Sequence, residues 1–270
     1  MSMIGFIGLG NQGAPIARRI AARFPTMVWA RRAEACAQVP QAAVAATVAE
    51  MGRQCTTVAL CVRNDDDVKG VAAKLAETMP PGGILIVHST VLPETVIELA
   101  ETMAKRGIAV VDAPVSGGPD RAELGEMVVL AGARRADFDA VRPILESFAK
   151  LVEHLGDVGA GQRMKLINNG LFFANAAGGA AAIALAGELG IDVAAASRIL
   201  SAGTGQSTAF DMLNIAGGGL ERLADSALVR KDIDHLADIA AGASPAATML
   251  VEFARRLGDH LHEHKKLAQA

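Results

Sequence analysis

The 270-residue chain has no tyrosine, one tryptophan and three cysteines, and aromatic side chains make up only 3% of it. It is nonetheless 51% hydrophobic, so its core must be built from Ala, Val, Leu and Ile, which suit close helix–helix and helix–sheet packing. Cys36, Cys55 and Cys61 have neither metal-ligand spacing nor an even number for a disulfide set, so free thiols in a reducing cytoplasm are expected. No charge of one sign dominates. The formal net charge of −3 gives no footprint for nucleic acid or an anionic membrane. The opening MSMIGFIGLG lacks the basic flank and cleavable apolar run of a signal peptide. Leu171 to Gly187 approaches membrane-span length, but it contains Asn175 and is mostly Ala and Gly, so a buried central helix is expected and no membrane partner.

What is present is an alternation. Met3–Gly8, Thr26–Ala30, Thr56–Val62, Ile84–His88, Ile108–Asp112, Met127–Ala131 and Leu151–His154 read as short strands. Helical stretches lie between them, among them Gln12–Arg23, Leu92–Arg106 and Arg134–Phe148. Strands alternating with helices, several of them apolar throughout, predict a doubly wound, mostly parallel sheet covered on both faces. After Gly161 the pattern is helical: Gln162–Leu189, Val193–Ser201, Thr208–Leu213, Ala227–Ala241 and Pro245–Leu257. An α/β domain over 1–160 and an all-α domain over 161–270 are expected, joined at the glycines of GDVGAG.

GFIGLGNQG places Gly8, Gly10 and Gly13 directly after a strand and at the start of a helix. In that context G-x-G-x-x-G indicates a dinucleotide site. The first glycine permits the tight turn, the second lets a pyrophosphate approach, and the third lets helix and strand pack closely. Gly8, Leu9, Gly10, Asn11, Gln12 and Gly13 are the expected phosphate-side loop, at a helix N-terminus whose N–H groups and dipole favour an anion. At the tip of the second strand the chain writes MVWARR, with no acid before Glu34. Arg31 and Arg32 there fit a ribose 2′-phosphate better than a 2′-hydroxyl, so NADP(H) is expected over NAD(H).

DAPVSGGP follows another strand and offers Ser116, Gly117 and Gly118, a hydroxyl and two unshielded backbone N–H groups suited to a carboxylate. In GDVGAGQRMKLINN, Lys165 and Asn169 are four residues apart and share a helix face. Three histidines in HLHEH, His260, His262 and His264, suggest a metal, but the segment is terminal and charged; a solvated helix end and no metal site are expected. His154 and His235 are expected to be structural.

These stretches together resemble the β-hydroxyacid dehydrogenase family, which includes 3-hydroxyisobutyrate dehydrogenases and tartronate semialdehyde reductases, within the 6-phosphogluconate dehydrogenase superfamily. The resemblance rests on GFIGLGNQG, HSTVLPE at 88–94, DAPVSGG at 112–118, GAGQRMKLINN at 159–169 and RKDIDHL at 230–236. It implies a Rossmann-type domain, an all-α C-terminal domain, and a long interdomain helix that helps form a homodimer or dimer-based homo-oligomer. It implies further that Lys165 is the catalytic lysine, that Ser116, Gly117 and Gly118 hold the substrate carboxylate, and that Asn169 orients the substrate. Thr90 would be a nicotinamide-side contact, Lys231 a second active-site lysine near the cofactor, and Val62 and Arg63 part of the fourth-strand loop touching it. His88 stands where the family often has Asp, CVRNDDD replaces the usual Leu-Pro loop, and LADSALVR lacks the aromatic often found near the nicotinamide.

The implied reaction is NADPH-linked interconversion of a small β-hydroxyacid and its semialdehyde or ketone. Lys165 is a credible general acid/base, since desolvation or a neighbouring cation such as Lys231 lowers a lysine's pKa. Two other readings share the architecture: an imine reductase, which generally lacks lysine at the position of Lys165, and a non-catalytic NADP-binding sensor or scaffold.

Overall fold

A computed structural model describes residues 3–215 and 227–268. Strands β1 (Ile4–Ile7), β2 (Thr26–Trp29), β3 (Ala43–Val44), β4 (Thr57–Leu60), β5 (Ile84–Val87) and β6 (Ala109–Asp112) form one sheet in the order β3-β2-β1-β4-β5-β6. Every pairing in it is parallel. The strand order reverses between β1 and β4, and ligands of open α/β sheets bind beyond the strand ends at such a point.

Side-chain alternation along each strand divides the interior into two cores. Phe6, Val28, Ala59, Ile86 and Val111 point to one face, with Ile16, Ile20 and Phe138 from α1 (Gly13–Ala21) and α6 (Arg135–Leu145). Ile7, Met27, Leu60, Val87 and Val110 point to the other, against α2 (Val48–Gln54), α3 (Asp65–Ala76) and α4 (Pro93–Ala104). A second sheet follows: β7 (Val115–Ser116) runs antiparallel to β8 (Met127–Ala131), which pairs in parallel with β9 (Ala149–His154), and α5 (Gly118–Leu124) links β7 to β8.

β3 and β7 are not among the expected strands, and α2, α3 and α5 are not among the helices named from the sequence. The two strands are only two residues long, and α2 and α3 have side-chain caps at their starts. Thr47 Oγ1 caps α2 by accepting the Glu50 N–H at 3.0 Å, while Glu50 Oε2 reaches back to accept the N–H of Ala46, the residue before the cap, at 2.8 Å. Asn64 Oδ1 caps α3 by accepting the Asp67 N–H at 2.9 Å, and Asp65, Asp66 and Asp67 complement the helix dipole in its first turn.

The described remainder is helical: α7 (Ala160–Glu188), α8 (Val193–Ala202), α9 (Thr208–Ile215), α10 (Ala227–Ile239) and α11 (Pro245–Ala268). The chain divides into two compact units, Met1–Lys165 and Leu166–Ala270. In the second, Leu166, Phe173 and Ala176 of α7 pack with Ala209, Val229, Ile233, Leu236, Val251 and Leu257. One expectation fails here. The apolar stretch of α7 is not buried within the chain: only 17% of its residues are buried, and Leu171 and Leu185 are 55% and 54% exposed. The helix is apolar on all sides but packs on the other helices along one of them.

Asp112, at the end of β6, joins three parts of the first unit. Its backbone exchanges hydrogen bonds with Gly132, linking the two sheets at 3.0 and 2.8 Å. Its carboxylate is fully buried and accepts the Gly159 N–H at 2.7 Å and the Gln162 N–H at 2.9 Å, so it caps the start of α7. Burial pushes this carboxyl up to about 6, partly countered by the two N–H donors. Next to it, His88 Nδ1–H donates to Ala113 O at 2.8 Å, between the rings of Phe6 and Phe148. Burial holds the imidazole down at about 4.

The two groups oppose each other in acid. A carboxyl raised from 3.8 to about 6 adds stability as pH falls through that interval. An imidazole lowered from 6.5 to about 4 removes stability over nearly the same interval. Each effect is on the order of 3 kcal/mol at full extent, and the two are opposite in sign. Asp112→Asn should therefore give a melting temperature that falls more steeply between pH 6.5 and 4.5 than wild type, and His88→Phe a shallower fall or a rise. Parallel curves for all three proteins would contradict the assignment.

Candidate active site

Within the first unit, the expected cofactor residues lie at or just beyond the carbonyl ends of the parallel strands. Gly8 has φ +100°, and a Cβ there would lie 2.2 Å from the Cys61 carbonyl oxygen of the adjacent β4 loop. A Cβ on Gly13 would lie 1.9 Å from Gly8 O. A Cβ on Gly10 would meet nothing within 4 Å. Leu9, 4% exposed, anchors the loop in the core, while Asn11 is exposed and Gln12 half-buried before α1. No side chain caps α1 and its first turn contains no acid. The loop is closed behind Gly8 and Gly13 and open over Gly10, at a positive helix end, so it fits a pyrophosphate.

At the end of β2, Arg31 and Arg32 are both exposed. Arg31 Nη2 donates to Asp67 Oδ1 at 2.9 Å, an ion pair that sequence spacing gave no reason to expect. The loops after β4 and β5 are tied together, with the Val62 N–H donating to Ser89 Oγ at 2.8 Å. Gln162, fully buried, clamps the second of these loops. Its Nε2 donates to Ser89 O at 2.9 Å and its Oε1 accepts the Val91 N–H at 3.1 Å, on either side of half-buried Thr90. Arg63 points outward and is exposed. Lys165 follows Gln162 by three residues on α7 and is only 8% exposed. Ser116 ends β7, and Gly117 and Gly118, with φ of +138° and +77°, turn the chain into α5, a conformation side chains rarely adopt.

In the second unit Asn169 and Lys231 meet the same carboxylate. Asn169 Nδ2 donates to Asp232 Oδ2 at 2.7 Å, and Lys231 Nζ lies 3.1 Å from Oδ1. Asp232 is 9% exposed, so this is a sheltered cluster and not a solvated surface pair. Sequence reasoning passed over Asp67, Asp112, Gln162 and Asp232 as functional residues. Two signals were available: Asp232 adjoins Lys231, and Gln162 stands one turn before Lys165. His154 is structural as expected, its Nε2 on Ala133 O at 2.8 Å and its ring on Phe138. The side chains of HLHEH lie outside the described residues.

The glycines permit a contrast between two neighbouring substitutions. Gly10→Ala should leave the melting temperature within a degree or two of wild type while weakening dinucleotide binding at least tenfold. Gly13→Ala should destabilise the fold by about 1–3 kcal/mol, because its Cβ overpacks against a backbone carbonyl. Calorimetric binding and thermal melts on both variants check this; a destabilised Gly10→Ala or a fully stable Gly13→Ala would refute it.

Comparison with known proteins bears on both units. Residues 3–156 match the family model of the NAD binding domain of 6-phosphogluconate dehydrogenase, and residues 159–269 that of NADP-dependent 3-hydroxyisobutyrate dehydrogenase. An uncharacterised oxidoreductase of Mycobacterium tuberculosis is 38% identical over 204 residues, covering 73% of this chain and 68% of its own. The 3-hydroxyisobutyrate dehydrogenase of Pseudomonas aeruginosa is 32% identical over 228 residues, covering 79% of this chain and 74% of its own. The crystal structure of 3-hydroxyisobutyrate dehydrogenase from Salmonella typhimurium shares the fold with a TM-score of 0.81 at 28% identity, covering 94% of this chain and 93% of that one. The chain belongs to the β-hydroxyacid dehydrogenase family and is an NAD(P)-binding oxidoreductase of the 3-hydroxyisobutyrate dehydrogenase-like kind.

Proposed function

We propose that the protein is an NADPH-linked enzyme interconverting a small β-hydroxyacid and its semialdehyde or ketone. The observation that carries this reading is Lys165, a lysine kept at 8% exposure, one turn beyond the buried Gln162 that clamps the β5 loop. Gly8, Leu9, Gly10, Asn11, Gln12 and Gly13 hold the pyrophosphate. Arg31 and Arg32 take the 2′-phosphate, and Val62, Thr90 and Lys231 border the rest of the cofactor, which supplies or accepts a hydride when bound. Ser116 with Gly117 and Gly118 takes the substrate carboxylate, and Asn169, its amide oriented by Asp232, directs the reacting carbon's substituents. In reduction the Lys165 ammonium donates its proton to the carbonyl oxygen as negative charge develops there. In oxidation the neutral amine takes the hydroxyl proton.

The exposed apolar side of α7 and α8, with Leu171, Leu185 and Ile199 at 55%, 54% and 67% exposure, is covered in this reading by a second copy of the chain. The three cysteines, none in a disulfide, fit a cytoplasmic setting.

Lys165→Ala should lower kcat on an accepted semialdehyde by about 10²–10⁴ while the NADPH dissociation constant stays within a few-fold of wild type. Steady-state kinetics beside direct cofactor titration separates the two quantities, and near-wild-type turnover would sink the assignment. Light scattering should give the mass of a dimer, and Leu171→Asp with Leu185→Asp should yield a folded monomer. A wild-type protein that is already monomeric at micromolar concentration would refute the dimer.

A further inference from the structure

Nothing at the tip of β2 itself offers a carboxylate to the cofactor's ribose; the run after Trp29 is Ala30, Arg31, Arg32 and Ala33. The fold brings one from elsewhere. Asp67, thirty-six residues further on, places Oδ1 2.9 Å from Arg31 Nη2. Asp67 belongs to a fixed turn. Its N–H is held by Asn64 Oδ1 at 2.9 Å, and its helix start is tied to α4 through Asp65 Oδ1, which accepts from the Leu92 N–H at 3.0 Å and Thr95 Oγ1 at 2.7 Å. Arg31, at 77% side-chain exposure, is the freer partner, and Asp67, at 25%, the anchored one.

We propose that Asp67 is a specificity-determining residue that lowers the preference for NADPH over NADH, by occupying Arg31 and setting a carboxylate beside the 2′ position. This rests on the preceding reading that Arg31 faces the adenosine ribose. A 2′-phosphate must draw the guanidinium away from Asp67 and then sit near an anchored negative charge. A 2′-hydroxyl meets no such cost and can donate its proton in a hydrogen bond to the same carboxylate, the arrangement an acid at the β2 tip otherwise provides. The pair thus holds a donor for the phosphate and an acceptor for the hydroxyl at one place, and Asp67 decides their balance.

The test is direct binding to the full-length enzyme, by calorimetry or fluorescence titration. The ligands are NADPH, NADH, adenosine 2′,5′-bisphosphate and AMP; the variants are Asp67→Asn, Arg31→Ala and, as a charge control, Asp66→Asn. Asp67→Asn keeps the shape and the Asn64 cap. It should tighten NADPH and adenosine 2′,5′-bisphosphate and slacken NADH, moving the ratio of the two cofactors' affinities about tenfold toward NADPH. Asp66→Asn should leave the ratio unchanged. If Arg31→Ala weakens NADPH selectively but Asp67→Asn leaves the ratio at the wild-type value, or weakens NADPH, the role given to Asp67 is wrong while the NADP reading stands. If Arg31→Ala changes neither cofactor, the NADP reading fails and the inference about Asp67 falls with it.

Discussion

The carboxylate of Asp112 fixes where α7 begins, and the chemistry assigned to that helix depends on this constraint. A buried carboxylate is costly alone, but here it accepts two N–H groups at a helix start, where the dipole also favours negative charge. Since Asp112 ends β6, the helix is referenced directly to the central sheet. A slip of one residue in α7 would rotate Lys165 by about 100° around the helix axis. Gln162 adds a second reference by clamping Ser89 and Val91, and Ser89 in turn holds Val62. Two loops that border the expected cofactor are therefore registered to the residue one turn before the proposed acid/base.

The low aromatic content is answered by close approach. A Cβ on Gly170 would lie 2.5 Å from Leu236, and one on Gly179 2.5 Å from Phe210, so both glycines let neighbouring helices come near α7. In the first unit the same economy appears at Gly8 and Gly13, where it also leaves the phosphate loop its shape. The small residues of α7 leave its other side apolar and uncovered by the chain itself. That side is the surface the proposed dimer would cover.

The parts of the fold legible in the sequence were those set by local patterns: five of the strands in the main sheet, its parallel character, the glycine loop and the helical second half. What stayed hidden depends on contacts between distant segments. β3 and β7 exist because neighbouring strands pair with them, and α3 was masked by a run of three aspartates that reads as a loop until Asn64 is recognised as its cap. The arginines at the β2 tip were visible, whereas the carboxylate that engages Arg31 lies on α3 and becomes a neighbour only when the sheet is assembled. Asp112 looked like part of a substrate motif, and in the structure it is a buried cap. Asp232 stayed hidden because its adjacency to Lys231 in sequence says nothing about burial or about Asn169. The helix through Leu171 was expected to be buried because composition records how apolar a segment is, not which molecule covers it.

The central claim is that Lys165 moves the proton exchanged at the substrate oxygen. Chemical rescue of Lys165→Ala tests it most directly: turnover of an accepted semialdehyde measured with NADPH while small alkylamines are added. The account predicts that turnover rises with amine concentration and that bulky amines rescue less than methylamine or ethylamine. Loss of activity that no amine restores, with NADPH still bound at wild-type affinity, would contradict it.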